Sequence, residues 1–223
     1  MKALVKHLGV ADYAKTYAAM QAFTKGRDTN TVDEIWVLEH PPVFTLGLAG
    51  DASNLHSPSN QIPMVQVDRG GEITYHGPGQ LVVYLLLDLK RLGIYVKELV
   101  FRIEQALIDT LSEFGVKAER KVGAPGIYIA EQGQVQREWV GAKVAALGLK
   151  VSKSCSYHGL ALNVATDLEA FGRIHPCGYE GLKTVDMQTL GIKDNIDRIS
   201  QVLLQHLQKH LMLDGLDELD NTR

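Results

Sequence analysis

Strand-like segments outnumber helical ones along these 223 residues and cluster in the middle of the chain, which predicts an α+β fold. Residues 80–88 are nearly all apolar, as expected of a central strand buried on both faces of a mixed or antiparallel sheet. No repeat, low-complexity tract or linker interrupts the chain, so one domain is expected over residues 1–213, with flanking helices and a frayed acidic tail over 214–223.

The elements follow in order. Residues 3–8 read as a short strand. Asp12 can cap a helix in which Tyr13, Tyr17, Met20 and Phe23 recur at helical spacing as far as Gly26. Residues 34–39 form a strand stopped by Pro41 and Pro42, and residues 47–63 are too polar to be core. Short strands at 64–67 and 73–75 flank Gly70 and Gly71. Val96, Leu99, Val100, Ile103, Leu107, Leu111 and Phe114 mark the clearest helix, closed by Gly115. Residues 126–130 and 140–151 read as strands joined by the polar stretch 131–138, and 160–164 as another strand. A last helix over 195–211 puts Ile196, Ile199, Leu203, Leu207 and Leu211 on one face.

The formal charge of −3 disfavours a nucleic-acid binder, which would carry a basic excess. The first residues lack the apolar run of a secretory signal, and the longest apolar block, 81–87, falls far short of the ~20 residues of a membrane helix. A soluble, cytosolic protein is expected, in a compartment where its two cysteines stay reduced.

Three segments hold chemistry-bearing residues. The first runs from Asp68 to Gln80 and packs Arg69, Gly70, Gly71, Glu72, Ile73, Thr74, Tyr75, His76, Gly77, Pro78 and Gly79 together. It reads either as two consecutive turns or as backbone held close to something bound; it is not a P-loop or a dinucleotide fingerprint. The second is Cys177, between Pro176 and Gly178, which places a thiol on a tight turn; Cys155, flanked by Ser154 and Ser156, is the weaker turn candidate. Each thiol is either inert core or chemistry. The third is Lys143, alone in the apolar run 139–148; it either points outward on an edge strand or is buried for a purpose. His206 and His210 have the spacing of a metal pair, but no third ligand is evident, and they read as the solvated face of the last helix. No metal is expected. Lys117, Arg120, Lys121, Lys150 and Lys153 are either a patch for an acidic partner or ordinary surface.

Taken together and in this order, R-G-G-x-x-T-Y-H-G-P-G-Q at 69–80, A-P-G-x-Y at 124–128, the Lys143 strand to Gly148, H-G-x-A-L-N-V at 158–164 and P-C-G at 176–178 resemble the lipoyl(octanoyl) transferase family. The resemblance implies the α+β architecture of biotin and lipoate protein ligases. It implies an enzyme that moves an octanoyl group from octanoyl-acyl carrier protein to a lysine of lipoyl domains, those of 2-oxoacid dehydrogenase complexes and the glycine cleavage H protein. Its nucleophile falls on Cys177 and the lysine partner on Lys143. Substrate-contacting positions fall on Arg69 to His76, on Ala146, Leu147 and Gly148, and on Gly159, Leu160 and Ala161. The stretch 131–138 is longer and more polar than the family's short hairpin.

The implied chemistry is self-consistent. Thioester exchange is nearly isoenergetic and the final amide lies downhill, so no ATP and no cofactor are expected. A cysteine of pKa ~8.5 is only about 3% thiolate at pH 7, so an activator helps. Keeping a lysine neutral at that pH costs about 4.6 kcal/mol unless burial shifts it, which an apolar strand would do. Gly70–Gly71 and Gly77–Gly79 would bring backbone to the acyl chain or the oxyanion; Tyr75, His76 and His158 would orient the thioester or hydrogen-bond in the core. The alternatives are an ATP-dependent lipoate or biotin ligase on the same fold, a Cys–Lys or Cys–His thioester hydrolase, and a non-catalytic acyl- or lipoyl-binding module.

Overall fold

The computed structural model describes residues 2–56, 61–131, 137–174 and 182–219. The chain runs β1 (Lys2–Val10), α1 (Tyr13–Gly26), β2 (Asp33–Glu39), β3 (Val43–Leu46), β4 (Met64–Gln66), β5 (Ile73–His76), β6 (Gln80–Leu86), α2 (Leu89–Leu92), α3 (Val96–Glu113), β7 (Ala118–Lys121), β8 (Ala124–Ile129), β9 (Lys143–Ser152), β10 (Cys155–Asn163), α4 (Ile196–Leu211) and β11 (Gly215–Glu218). Eight strands form a mixed sheet in the order β11-β1-β2-β6-β10-β9-β8-β7, and β4-β3-β5 form a second, smaller one.

Strand alternation sorts the core into two layers. Ile35 and Val37 of β2 and Leu81, Val83 and Leu85 of β6 pack with Leu99, Ile103 and Leu107 of α3 and Ile199, Leu203 and Leu207 of α4. The intervening Trp36, Leu38, Val82, Tyr84 and Leu86 pack with Met20 of α1. Every residue of β6 is buried, as its composition predicts. The expected cap is present too: the Asp12 carboxylate accepts from Lys15 N at 2.9 Å.

The structure extends or corrects several expectations. The tail is not frayed from residue 214. Gly215–Glu218 add to β1 as a parallel strand, with Lys2 Nζ 2.9 Å from Asp217 and His7 Nε2 3.0 Å from Glu218. Those acids suggested solvent; here they meet basic residues of the strand they cover, and β1 is spared an open edge. Strand β3 begins directly after the Pro41–Pro42 stop, because a proline before a strand breaks no ladder bond. The charged run Ala118–Lys121 is an edge strand, where charged side chains are at home. Strand β10 begins at Cys155, earlier than residue 160, because Lys153 and Ser154, with φ of 50° and 64°, make a two-residue turn of the type that closes hairpins.

Candidate active site

Strands β9 and β10 pair in antiparallel register, with Gly159 opposite Gly148, Leu160 opposite Leu147 and Ala161 opposite Ala146. Successive residues on one face are therefore Gly148 and Ala146 on one strand and Gly159 and Ala161 on the other. These small residues floor a cavity of about 300 Å³. Arg69, Gly70, Gly71, Glu72, Ile73, Thr74, His76, Ala146, Leu147, Gly148, Gly159, Leu160, Ala161 and Lys143 all line it. Tyr75 does not. It is 1% exposed and packs against Phe44 and Phe171 at ring separations of 5.6 and 5.5 Å, under the small sheet. Cys177 lies outside the described residues, as do residues 57–60, 132–136 and 220–223.

Lys143 is 7% exposed at the start of β9. Its Nζ stands 5.5 Å from the Tyr128 ring centroid. A Cβ on Gly126 would come within 2.4 Å of the Lys143 Cε, and Gly126 has a φ of 134°. The glycine of A-P-G-x-Y thus clears the path of the lysine side chain, and the tyrosine backs it. Glu104 of α3 pins that glycine by accepting from Gly126 N at 3.1 Å. The backbone of Lys143 is held by residues 183–185: Lys143 N donates to Lys183 O at 2.8 Å, and Val185 N donates to Lys143 O at 3.0 Å. Residue Lys183 follows Cys177 by six positions.

Arg69 is buried and organises the glycine-rich loop. Its Nη2 donates to Thr45 O, Thr45 Oγ1 and Glu72 O at 2.8, 2.8 and 2.9 Å, and its Nη1 donates to Gly70 O at 3.0 Å. Gly70 N donates to Leu149 O at 2.9 Å, which docks the loop on β9. Gly77 and Gly79 serve packing. A Cβ on Gly77 would meet the Tyr75 hydroxyl at 2.1 Å, and one on Gly79 would meet Ala165 O at 2.0 Å. The Gly79 N–H is already taken by Glu39 at 2.6 Å, so it is not aimed at an oxyanion.

A line of amides connects His76 to the Lys143 clamp. His76 Nδ1 lies 2.7 Å from Gln80 Oε1; Gln80 Nε2 donates to Tyr75 O and to Asn163 Oδ1 at 3.2 and 2.9 Å; Asn163 Nδ2 donates to Val185 O at 3.2 Å. Backbone carbonyls fix both amides, so Gln80 presents its oxygen to His76, whose Nδ1 carries the proton. Burial pushes the His76 pKa down to about 3, leaving the ring neutral.

At the Leu149 end of the cavity, His158 has a φ of 59° and is 1% exposed. Its Nε2 lies 3.1 Å from Asp68 Oδ1, and the Tyr157 hydroxyl donates to Asp68 Oδ2. Burial outweighs the pull of Asp68 and sets the His158 pKa at about 4. Burial alone would raise Asp68; hydrogen bonds from Tyr157, His158 and Tyr17 outweigh it and hold the carboxyl below its usual range. Tyr13 and Tyr84 also line the cavity, and burial pushes Tyr13 up to about 12. Tyr84 reaches His40 Nε2 at 2.7 Å.

The sequence reading placed Asp68 and Gln80 at the ends of the glycine-rich segment and Asn163 in a motif, but gave none of them, nor Tyr13, Tyr84 or Thr184, a role at the site. Asp68, Gln80 and Asn163 stand inside or beside the motifs, where a polar residue flanking a buried strand is the available signal; Tyr13 and Tyr84 carry none, being ordinary core residues by pattern. The basic residues do not form one patch. Arg120 stacks on Phe101 at 4.1 Å, and Lys121 Nζ donates to Gly141 O at 3.0 Å near the start of β9, whereas Lys150 and Lys153 lie at its far end. His206 and His210 are also not a solvated face: both meet carboxylates of α3.

The fold thus holds a cavity floored by glycine and alanine and reached by a buried lysine, and its relatives make the chain an acyltransferase. The chain belongs to the lipoyl protein ligase A/B catalytic domain family, whose model matches residues 12–210. It is 82% identical over 212 residues to an octanoyltransferase of Polynucleobacter asymbioticus, covering 95% of this chain and 99% of that one. A second octanoyltransferase, of Azoarcus sp. strain BH72, is 56% identical over 208 residues, covering 93% and 87%. Among solved structures, a bi-partite lipoate protein ligase from Thermoplasma acidophilum superposes with a TM-score of 0.75 at 14% identity, covering 99% of this chain and 88% of that one. Lipoate-protein ligase A bound with ATP gives 0.72 at 14% identity, covering 99% and 90%. At these identities the structures share the fold. Among the described residues no helix is long and apolar enough to cross a membrane.

Proposed function

We propose that the protein transfers an octanoyl group from octanoyl-acyl carrier protein to a specific lysine of lipoyl domains, those of 2-oxoacid dehydrogenase complexes and the glycine cleavage H protein, in the cytosol and without a cofactor. In this scheme Lys143 takes the proton of the Cys177 thiol. The thiolate adds to the thioester carbon of the donor, and the carrier's thiol leaves with the proton from Lys143. The amine of the acceptor lysine then attacks the new thioester, its surplus proton passes to Lys143, and the Cys177 thiolate is released and reprotonated.

The observation that carries this reading is the placement of Lys143, buried at the cavity and hydrogen-bonded through its backbone to the chain just beyond residue 181. The other thiol is poorly suited. Cys155 pairs with Ser152, nine residues further along β9 and roughly 30 Å from Lys143, and burial raises its pKa. The octanoyltransferase relatives support the eight-carbon group, and the small residues of the cavity floor suit an extended alkyl chain.

Intact-mass measurement with octanoyl-acyl carrier protein tests it. One octanoyl adduct is expected on Cys177, discharged by added lipoyl domain without ATP, absent in Cys177→Ser and slowed by orders of magnitude in Lys143→Ala. Modification that requires ATP and survives Cys177→Ser would establish a ligase instead. Release of free octanoate with no acceptor present would establish a hydrolase, and binding without any adduct a non-catalytic module.

A further inference from the structure

On the face of the sheet away from α1, α4 presents His206 and His210, four positions apart, to Asp109 and Glu113, four positions apart on α3. His206 Nε2 lies 2.7 Å from Glu113 Oε1, and His210 Nε2 lies 2.7 Å from Asp109 Oδ2. An ionised carboxylate can only accept, so His206 carries a proton on Nε2, and in the neutral ring its Nδ1 is a bare lone pair. That Nδ1 is buried, has no hydrogen-bond partner among the described residues, and stands 3.9 Å from Asp109 Oδ2. In the neutral ring, an imidazole lone pair and a carboxylate oxygen face each other 3.9 Å apart, a spacing that a cation can bridge.

We propose that this α3–α4 junction binds one divalent transition-metal ion of the zinc type, through His206 Nδ1, His210 Nε2 and Asp109 Oδ2. Asp109, His206 and His210 each offer a ligand atom, and these lie within 4.8 Å of one another. Tetrahedral bonds of ~2.0–2.2 Å set ligand atoms about 3.4 Å apart, so the His210–Asp109 pair at 2.7 Å opens slightly and the widest pair closes by up to roughly 1.4 Å, within reach of rotamer adjustments shared between two side chains. Binding displaces the proton shared by His210 and Asp109, and water fills the open position.

The outer contacts are those a metal site requires. Glu113 accepts from the non-ligating nitrogen of His206, a carboxylate–histidine–metal arrangement that orients the ring and raises its basicity. Gln105 Nε2 donates to Asp109 Oδ1 at 2.7 Å, which leaves Oδ2 for the ion. The His206, His210 and Asp109 side chains are 14%, 20% and 27% exposed, so an ion can enter from solvent. The junction lies apart from the acyl cavity: Val100, on the cavity wall, is nine residues before Asp109, roughly 14 Å along α3. The ion would clip the last long helix to the helix that packs beneath it.

Calorimetric titration of EDTA-treated protein with zinc chloride tests this, in a Cys155→Ser/Cys177→Ser background that removes thiol ligands. One ion per chain is expected, with a Tm raised by roughly 5 °C at a hundredfold excess over Kd. Affinity should fall by at least tenfold in Glu113→Gln and be lost in His206→Gln/His210→Gln. Cobalt substitution should give visible absorption bands of a low-coordinate site, absent in the double variant. Far-UV circular dichroism of the metal-free proteins checks that each variant is folded. No zinc binding by the parent, or binding and cobalt bands that persist in the double histidine variant, overturns the proposal.

Discussion

Replacing Ala146 by Leu should shorten the acyl chain that the enzyme accepts. Ala146 lies three residues from Lys143 along β9, about 10 Å, and faces Ala161 across the strand pair. An extended octanoyl chain has seven C–C bonds and spans roughly 9 Å from its carbonyl. With the carbonyl at Lys143, its last carbons reach the space over Ala146. Leucine puts three further carbons there. If they displace three methylenes, the transition state for octanoyl transfer loses about 0.8 kcal/mol for each, or about 2.4 kcal/mol. That is roughly a 60-fold fall in kcat/KM. A butanoyl donor never reaches Ala146 and should keep its rate within about twofold. Acyl transfer from a series of four- to ten-carbon donors, with the acceptor held constant, measures both. Equal loss for butanoyl and octanoyl would mean damage to the site at large. An unchanged octanoyl rate would place the chain elsewhere and refute the assignment of the floor.

His76 and His158 are held neutral in the fold, with pKa values of about 3 and 4. Both are depressed below the unfolded value near 6.5, so their contribution is intact above pH 6.5 and lost as pH falls toward the folded values. Between pH 7.5 and 5 each should remove about 2 kcal/mol, read as a lower urea midpoint at pH 5 than at pH 7.5; equal midpoints would contradict the burial argument. Gly159→Ala would set a methyl 2.0 Å from Val83 O, between two central strands, and should cost at least about 3 kcal/mol. Gly172→Ala, with open space around it, is the control and should unfold at the parent's midpoint. Charge reversal at Lys150 should raise KM for an acidic carrier protein at low ionic strength; an unchanged KM would remove this residue from docking.

Long elements and strong motifs were legible from the residues. The 3.6-residue repeat of α3 and the double-sided burial of β6 follow from side-chain periodicity alone. The lone Lys143 in an apolar strand and the glycine-rich loop marked the two ends of what became one cavity. Local pattern could not show what depends on partners. Strand β11 is acidic and short, and it becomes a strand only because β1 offers an edge and basic residues. Arg69 looks from sequence like a substrate ligand, yet its guanidinium is largely spent on loop carbonyls. Asp109 and Glu113 lie almost a hundred residues from the histidines they meet, so only the packing of α3 on α4 brings the four together.

The amide line from His76 has a consequence for proton conduction. An amide oxygen accepts a hydrogen bond but does not take up a proton near neutral pH, so Gln80 is a dead end for any proton on His76 Nδ1. Asn163 repeats the block one step further on. Proton transfer from His76 Nδ1 therefore stops at these two amides. Under the proposed scheme, a proton released at the cavity leaves on Lys143 or on the departing thiol and not along the His76–Gln80–Asn163 line.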